Sequence, residues 1–424
     1  MFAIIFHRLG PYHFARLRAA GSQLSITAIE SSGRDETYAW DKVAGISGFD
    51  RVVLFKDADA QKQPAREVAQ QVALALDKIQ PAVVVVPGWA DSAALGALHW
   101  CVQHQVPAVF MSESTAWDER RSVWREAVKR QIVRLGSAAL VGGTPHKDYL
   151  VQLGMPPQRV FQGYDAVDNG YFLEQADTLK TDKLKGEVRR KHGLPENYFL
   201  ASNRFIEKKN LPRLIEAYAR YRLLCGDHQT SDNQTTDSRQ SEVSRQKSVA
   251  GSPVVAWPLV LLGDGALRPD LCRRIADLGL QDSVRLPGFK QYPELPEYYA
   301  HAGAFIHAST TEQWGLVVNE AMASGLPVLV SNRCGCAQDL VHEGVNGFTF
   351  DPCNVEQLAG LMLKLSTLNS QLSTMGDASR RIIANWGPDR FASGLKQAVE
   401  CALRVGPPPA SLAGRLLLSI LLNR

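Results

Sequence analysis

The chain has 424 residues, 45% of them hydrophobic and 21% charged, enough apolar mass for two or three separate cores. Its 47 Lys and Arg against 43 Asp and Glu leave a net charge of +4, small for a dedicated nucleic-acid binder and compatible with an anionic small molecule. Seven cysteines, an odd number without a CxxC spacing, argue against a disulfide framework or a zinc site and read as reduced thiols of a cytosolic protein.

The opening "MFAIIFHRLGPYHFARL" carries an apolar run too short for a signal segment, with charge arriving only at Arg8, and reads as a first strand over Phe2–Phe6. Further strand-length runs lie at Leu24–Ile29, Val52–Phe55, Val83–Val86, Ala108–Met111 and Ala138–Val141. Amphipathic segments at Glu67–Lys78, Ser92–Gln103 and Glu119–Leu135 have helical length and period. A charged, strand-poor stretch, "FLEQADTLKTDKLKGEVRRKHGLPEN", then separates these from a second series. That series runs "YFLASNRF", "PLVLLGDG", "VRLPGF", "GAFIHAS" and "LPVLVS", interleaved with helices at Leu211–Leu224, Pro269–Leu278 and Asn319–Ala323. Alternating strands and helices predict an α/β protein with two doubly wound Rossmann-like domains facing across a cleft.

The expected boundaries are an N-terminal domain over 1–175, a linker over 176–195 and a C-terminal domain over 196–385, with helices over 386–424 packing back on the N-terminal domain. Residues 226–252 contain no aromatic residue and no Leu, Ile or Met, so they are expected to form a disordered insertion. The tail "SLAGRLLLSILLNR" is apolar and basic enough to lie on a membrane surface, and it fits equally a helix packed on the protein body.

Open α/β sheets bind ligands at the carboxyl ends of their strands, which directs attention to the loops there. In "TEQWGLVVNEAMASGLPVLVS", residues 311–331, Glu312 sits in the loop after the strand "GAFIHAS", and Glu320 lies inside the following helix. The backbone N–H groups of Gly315, Leu316 and Val317 open that helix and suit phosphate oxygens. Eight residues at helical rise span about 12 Å as an upper guide, enough to set one carboxylate near each end of a diphosphate-linked ligand.

This stretch resembles the E-x7-E signature of the retaining nucleotide-sugar glycosyltransferases of family 4, which are similar to glycogen synthase and have the GT-B fold. The resemblance extends from about Phe199 to Asp351: "NRFIEKKNLPRLIEAYA" resembles the family's Arg-x4-Lys segment, giving Arg204 and Lys209, and "LVLLGDG" its Gly-Asp-Gly strand end, Gly263–Gly265. It implies that Arg204 and Lys209 hold the donor diphosphate, Glu320 the ribose hydroxyls and Glu312 the transferred sugar, with Phe289 and Lys290 beside the base. In the N-terminal half, "FHRLGPYHFARL" resembles the family's glycine-containing loop, so that Gly10 lets backbone approach the donor. His13, Glu113 and His146 become candidates for acceptor or sugar contact, with Tyr164 and Asp165 as further cleft residues. The family's paired glycines and following glutamate are replaced here, leaving Gly335 and Asp339 in those places, and its glycine before the arginine is Asn203.

Plainer readings exist for each of these residues. Arg204 and Lys209 share a run with Lys208 and Arg213 that would suit a solvated helix start. Glu312 is also a plausible helix cap, Glu320 a surface glutamate, Gly263–Gly265 a simple turn, His13 a capping or packed histidine, and Glu113 a structural hydrogen-bonding residue. The segment that carries the resemblance has no Asp-x-Asp triplet, so no metal or other cofactor is expected. The function implied is transfer of a sugar from a nucleotide-sugar donor to a hydroxyl acceptor, free or lipid-linked, in polysaccharide or glycoconjugate synthesis in the cytoplasm or at the inner membrane face. A nucleotide-sugar epimerase of the same fold and a non-catalytic nucleotide-sugar binder are the alternatives.

Overall fold

The computed structural model describes residues 1–33, 48–226, 254–368 and 371–423. The expected insertion over 226–252 lies outside these from residue 227 onward.

The N-terminal domain runs β1 (Phe2–Phe6), α1 (Pro11–Gly21), β2 (Ile26–Ser32), β3 (Asp50–Phe55), α2 (Ala65–Ile79), β4 (Val84–Pro87), α3 (Ser92–His104), β5 (Ala108–Ser112), α4 (Val123–Val133), β6 (Ala138–Val141), α5 (Thr144–Gln152) and β7 (Val160–Gln162). These strands form a seven-stranded parallel sheet in the order β3-β2-β1-β4-β5-β6-β7. Its central strands are apolar throughout, as burial on both faces requires: "FAIIF", "VVVP" and "AALV" pack between helix layers.

Helices α6 (Asn169–Leu179) and α7 (Asp182–His192) lead into the second domain. Its elements are β8 (Phe199–Ser202), α8 (Leu211–Leu224), β9 (Leu259–Leu262), α9 (Arg268–Asp277), β10 (Val284–Gly288), α10 (Leu295–Tyr299), β11 (Ala304–His307), α11 (Leu316–Ala323), β12 (Val328–Ser331), α12 (Ala337–Leu340), β13 (Gly347–Phe350), α13 (Val355–Thr367) and α14 (Leu372–Ile383). The six parallel strands are ordered β10-β9-β8-β11-β12-β13. The chain then returns as α15 (Pro388–Val405), which packs on α1, β6 and β7, and ends in α16 (Leu412–Leu422) against α3 and α4.

Two expectations need correction. The stretch expected as a linker over 176–195 is largely helical, because its charged residues form an exposed face while Val188 and Leu194 are buried with Phe172 in a core of the C-terminal domain. The helix expected from Glu119 begins only at Val123. Arg121 organises the preceding residues as a loop, donating to the Thr115 and Ala116 carbonyls, to Asp118 and to the Tyr149 hydroxyl.

In each sheet the first strand has a neighbour on either side that belongs to a different winding direction: β1 lies between β2 and β4, and β8 between β9 and β11. The loops after β1, β4, β8 and β11 therefore diverge at a switch point, where doubly wound sheets open a crevice. Within the C-terminal domain that crevice depends on Gly263. Its φ is +123°, and a Cβ there would lie 1.7 Å from the Asn203 carbonyl oxygen of the β8 loop. Gly263→Ala is expected to lower unfolding free energy by at least about 2 kcal/mol, from left-handed strain and the backbone clash together. Urea unfolding checks this, and an unchanged midpoint would show that the β8 and β9 loops are not held this closely.

Candidate active site

The two switch points gather most of the residues singled out in the sequence. Gly10 and His13 follow β1, Arg204 and Lys209 follow β8, and Glu312 and Gly315 follow β11. Gly315 has φ +103° and starts α11 with no side chain capping the helix, so Leu316 and Val317 open a helix terminus whose backbone N–H groups lack intrahelical partners.

Glu312 is the centre of the C-terminal side. Its Oε2 accepts from the Lys209 ammonium, from His307 Nε2 at 3.2 Å and from Ser309 Oγ at 3.4 Å. Burial alone would raise the carboxyl, but the His307 hydrogen bond and the Lys209 charge outweigh it and hold Glu312 well below the ordinary carboxylate range. His307 is buried, which lowers its pKa and keeps the ring neutral, and since a carboxylate only accepts, the ring proton is on Nε2. The loop is tightened from a third side: Gly335 N–H donates to the Glu312 carbonyl at 3.0 Å, and a Cβ at Gly335 would lie 1.7 Å from the Gln313 oxygen. Lys209 thus belongs to a partly buried ion pair with Glu312, a partner the sequence did not assign to it.

Glu320 occupies a separate, fully buried position. Tyr12 of α1 donates to its Oε1 across the cleft, and Tyr299 of α10 donates to Oε2 at 2.7 Å. Burial pushes its carboxyl up to about 7, and the two tyrosine hydrogen bonds oppose this. The Tyr12 ring meets Tyr292 edge-on at 5.7 Å, and Tyr292 stacks on Tyr171 at 5.1 Å, completing an aromatic wall between the domains. The surface-glutamate reading of Glu320 does not describe this arrangement.

Several candidates have different surroundings from those expected. His146 accepts from Gly143 N–H at Nδ1 (3.1 Å) and donates from Nε2 to the Gln313 carbonyl (2.8 Å), so both ring nitrogens are used and the residue ties the domains together. His13 accepts from Gly10 N–H at Nδ1 (3.1 Å), capping α1, and burial followed by the Arg16 charge pushes its pKa down to about 3. Gly263 serves the packing of the Arg204 loop. Phe289 and Lys290 lie at the carboxyl end of β10, where Phe289 is exposed and Lys290 is 3.6 Å from Glu294. Glu113 follows β5 beside Asp165, whose buried carboxyl is raised by burial and then by the Glu113 charge, with Arg16 at 3.7 Å.

Sequence reading missed three contributors. His307 was within the strand "GAFIHAS", five residues before Glu312, a spacing that could have flagged it. Tyr12 and Tyr299 gave no such signal, because their link to Glu320 exists only in the assembled fold. Asp339 was noted only as a departure, yet it accepts from Thr144 N–H (2.8 Å) and Thr144 Oγ (2.6 Å), capping α5 of the opposite domain. An Asp-x-Asp triplet does occur outside the segment of resemblance, at Asp57–Asp59. Asp59 there caps a short 3-10 turn through Gln61 N–H and lies 3.5 Å from His7. Among the described residues no three His, Cys, Asp or Glu side chains are gathered as a metal site would need.

The raised Glu320 carboxyl has a signed consequence. The folded state keeps its proton between pH 4.5 and about 7 while the unfolded state loses it, so this contribution to stability is present at low pH and is lost as pH rises through about 7. Comparing Glu320→Gln with the wild type in urea at either end of that interval, the balance should move toward the variant by roughly 3 kcal/mol on going to high pH. A pH-independent difference would show that Glu320 titrates as an ordinary carboxylate.

Comparison with known proteins places this geometry. Residues 247–382 match the family model of glycosyl transferases group 1. Mannosylfructose-phosphate synthase of Agrobacterium fabrum is 26% identical over 227 residues, covering 53% of this chain and 43% of that protein. Alpha-D-kanosaminyltransferase of Streptomyces kanamyceticus is 27% identical over 201 residues, 44% of this chain and 50% of that protein, so the chain spans about half the length of these curated relatives. Among solved structures, HepE of Anabaena in complex with UDP and glucose superposes with a TM-score of 0.67 at 16% identity, covering 94% of this chain and 99% of that one, a likeness of fold. The C-terminal domain carries the match to glycosyl transferases group 1, and the chain as a whole has the two-domain GT-B fold.

Proposed function

We propose that the protein is a retaining glycosyltransferase that moves a hexose-type sugar from a nucleoside diphosphate to a hydroxyl acceptor. The observation that carries this reading is the Glu312–Lys209–His307 cluster, set beside the uncapped start of α11 at the β8/β11 switch point. The match over 247–382 and the fold shared with a UDP- and glucose-binding protein support it.

In this reading the donor diphosphate lies against Arg204, Lys209 and the first N–H groups of α11. The ribose hydroxyls reach Glu320 in place of the Tyr12 hydroxyl, Phe289 and Lys290 face the base, and the transferred sugar meets Glu312. Gly10 offers open approach, since a Cβ there would meet only His13, at 3.9 Å. Glu113 and His13 line the acceptor side. As the sugar C1–O bond breaks, its electron pair goes to the leaving phosphate oxygen, and the acceptor oxygen bonds to C1 from the same face. The acceptor's proton passes to that phosphate oxygen. Fixed cations hold the growing negative charge more strongly in the transition state than in the ground state, while ionised Glu312 stabilises the oxocarbenium-like carbon.

The same cations allow the reaction to run without a metal, so activity should persist in EDTA. Loss restored by magnesium or manganese would contradict this. Incubating donor without acceptor separates the transferase from an epimerase: slow hydrolysis is expected, and an epimerised donor would overturn the reading.

The two glutamates provide the sharper test. Glu312→Gln should lower turnover by about 100-fold or more while leaving nucleoside diphosphate affinity unchanged or slightly stronger, because Lys209 loses its carboxylate partner. Glu320→Gln should weaken nucleoside diphosphate binding by about tenfold or more, the value of a charge-assisted hydrogen bond. Calorimetry and a donor-turnover assay on both variants make the comparison. Equal loss of nucleotide affinity in the two would refute the assignment.

A further inference from the structure

Helix α16 is apolar on two sides. Leu418 and Leu422 are buried in the N-terminal core, and Gly414 sits against Leu135 of the α4 end. On the other side Leu412, Leu416 and Ile420, at i, i+4 and i+8, are exposed in a line along the helix. Unlike scattered surface leucines, such a row repays burial only against an apolar phase or a partner.

The row has a neighbour. Helices α2, α3, α4 and α16 share one core against one face of the seven-stranded sheet, so their outer sides look away from the same side of the domain. There α4 begins with Val123 and Trp124, 85% and 83% exposed, a tryptophan presented almost entirely to solvent. Arginines accompany these residues: Arg125, 3.7 Å from Glu119, and Arg130 are exposed on α4, Arg134 at its C-cap, and Arg415 on α16 beside the row. Apolar side chains interspersed with arginine and an outward tryptophan are the composition of a helix face that enters the headgroup region of an anionic bilayer. At 11 residues α16 is about 16 Å long, half the thickness of a bilayer core, so it can only lie in the interface. Among the described residues no helix is long and apolar enough to cross a membrane.

We propose that the α4–α16 face docks on an anionic lipid surface, with Leu412, Leu416, Ile420, Val123 and Trp124 entering the headgroup–acyl boundary and the arginines meeting lipid phosphates. The arginines favour this occupant over a second copy of the chain, whose identical face would bring like charges together. The loop that leads into α4 reaches the cleft rim, where Trp117 Nε1–H donates to the Arg333 carbonyl at 3.3 Å. Docking in this way would hold the acceptor side of the cleft beside the bilayer.

Co-sedimentation of the full chain with vesicles tests the proposal, using phosphatidylcholine alone and phosphatidylcholine mixed with phosphatidylglycerol. Binding is expected only to the mixed vesicles. The triple variant Leu412→Ser, Leu416→Ser, Ile420→Ser should reduce it by at least about tenfold with an unchanged Tm, since these side chains contact little of the core. Arg130→Glu with Arg415→Glu should weaken it independently. Failure of the wild type to sediment with the mixed vesicles, or equal binding by the triple variant, would overturn the proposal. So would a dimer in light scattering that the triple variant dissociates, since it would make a second copy the occupant.

Discussion

A carboxylate as sheltered as Glu312, its side chain 12% exposed, is best tolerated when a charge and several hydrogen bonds surround it, and that requirement organises the C-terminal cleft. Lys209 must come from the β8 loop, His307 from the end of β11, and the Glu312 carbonyl must take the Gly335 N–H from the loop after β12. Three separate loops are thereby locked in register at the point where the sheet's winding reverses. The glycines at 263 and 335 follow from the same demand, since each lets one loop approach another's carbonyl at a distance no side chain permits. What results is a preorganised group of fixed charges in a sheltered crevice, the arrangement in which electrostatic stabilisation of a charged leaving group is most effective.

The domains are joined by polar contacts of unusual precision for a crevice that must admit a ligand. Tyr12 to Glu320, His146 to the Gln313 carbonyl, and Asp339 to the α5 terminus all cross between them. Two crossings of the chain, through α6 and through α15, form the permanent tether, linked to one another where Asn169 donates to the Ile383 carbonyl at 2.7 Å. The cleft contacts combine these hydrogen bonds with the edge-on meeting of Tyr12 and Tyr292, while each domain keeps its own apolar core. The Tyr12 hydroxyl occupies the position on Glu320 that the proposed function gives to a ribose hydroxyl.

Much of this was legible in the sequence where the signal is local. The bounds of β1, β6 and α8 follow directly from apolar runs and helical period, and the E-x7-E stretch pointed to Glu312 and Glu320 together. Local pattern failed where distant residues decide. The charged segment over 176–195 looked like a linker because its few apolar residues, Val188 and Leu194, gain a partner only from a core assembled by later strands. His146 looked like a cleft ligand because nothing nearby in sequence reveals that the Gln313 carbonyl, on the other domain, accepts the hydrogen bond from its Nε2–H. Lys209 looked like a phosphate ligand alone, since its pairing with Glu312 spans 103 positions.

The central claim is that the Lys209–Glu312 crevice is where a nucleoside diphosphate binds. Calorimetric titration of UDP, GDP, ADP and dTDP into the wild type and into Lys209→Met tests it most directly. One nucleotide should bind the wild type, with affinity falling by about tenfold or more in the variant as a charge-assisted contact is lost. Failure of all four to bind, or equal affinity in the two proteins, would contradict the account.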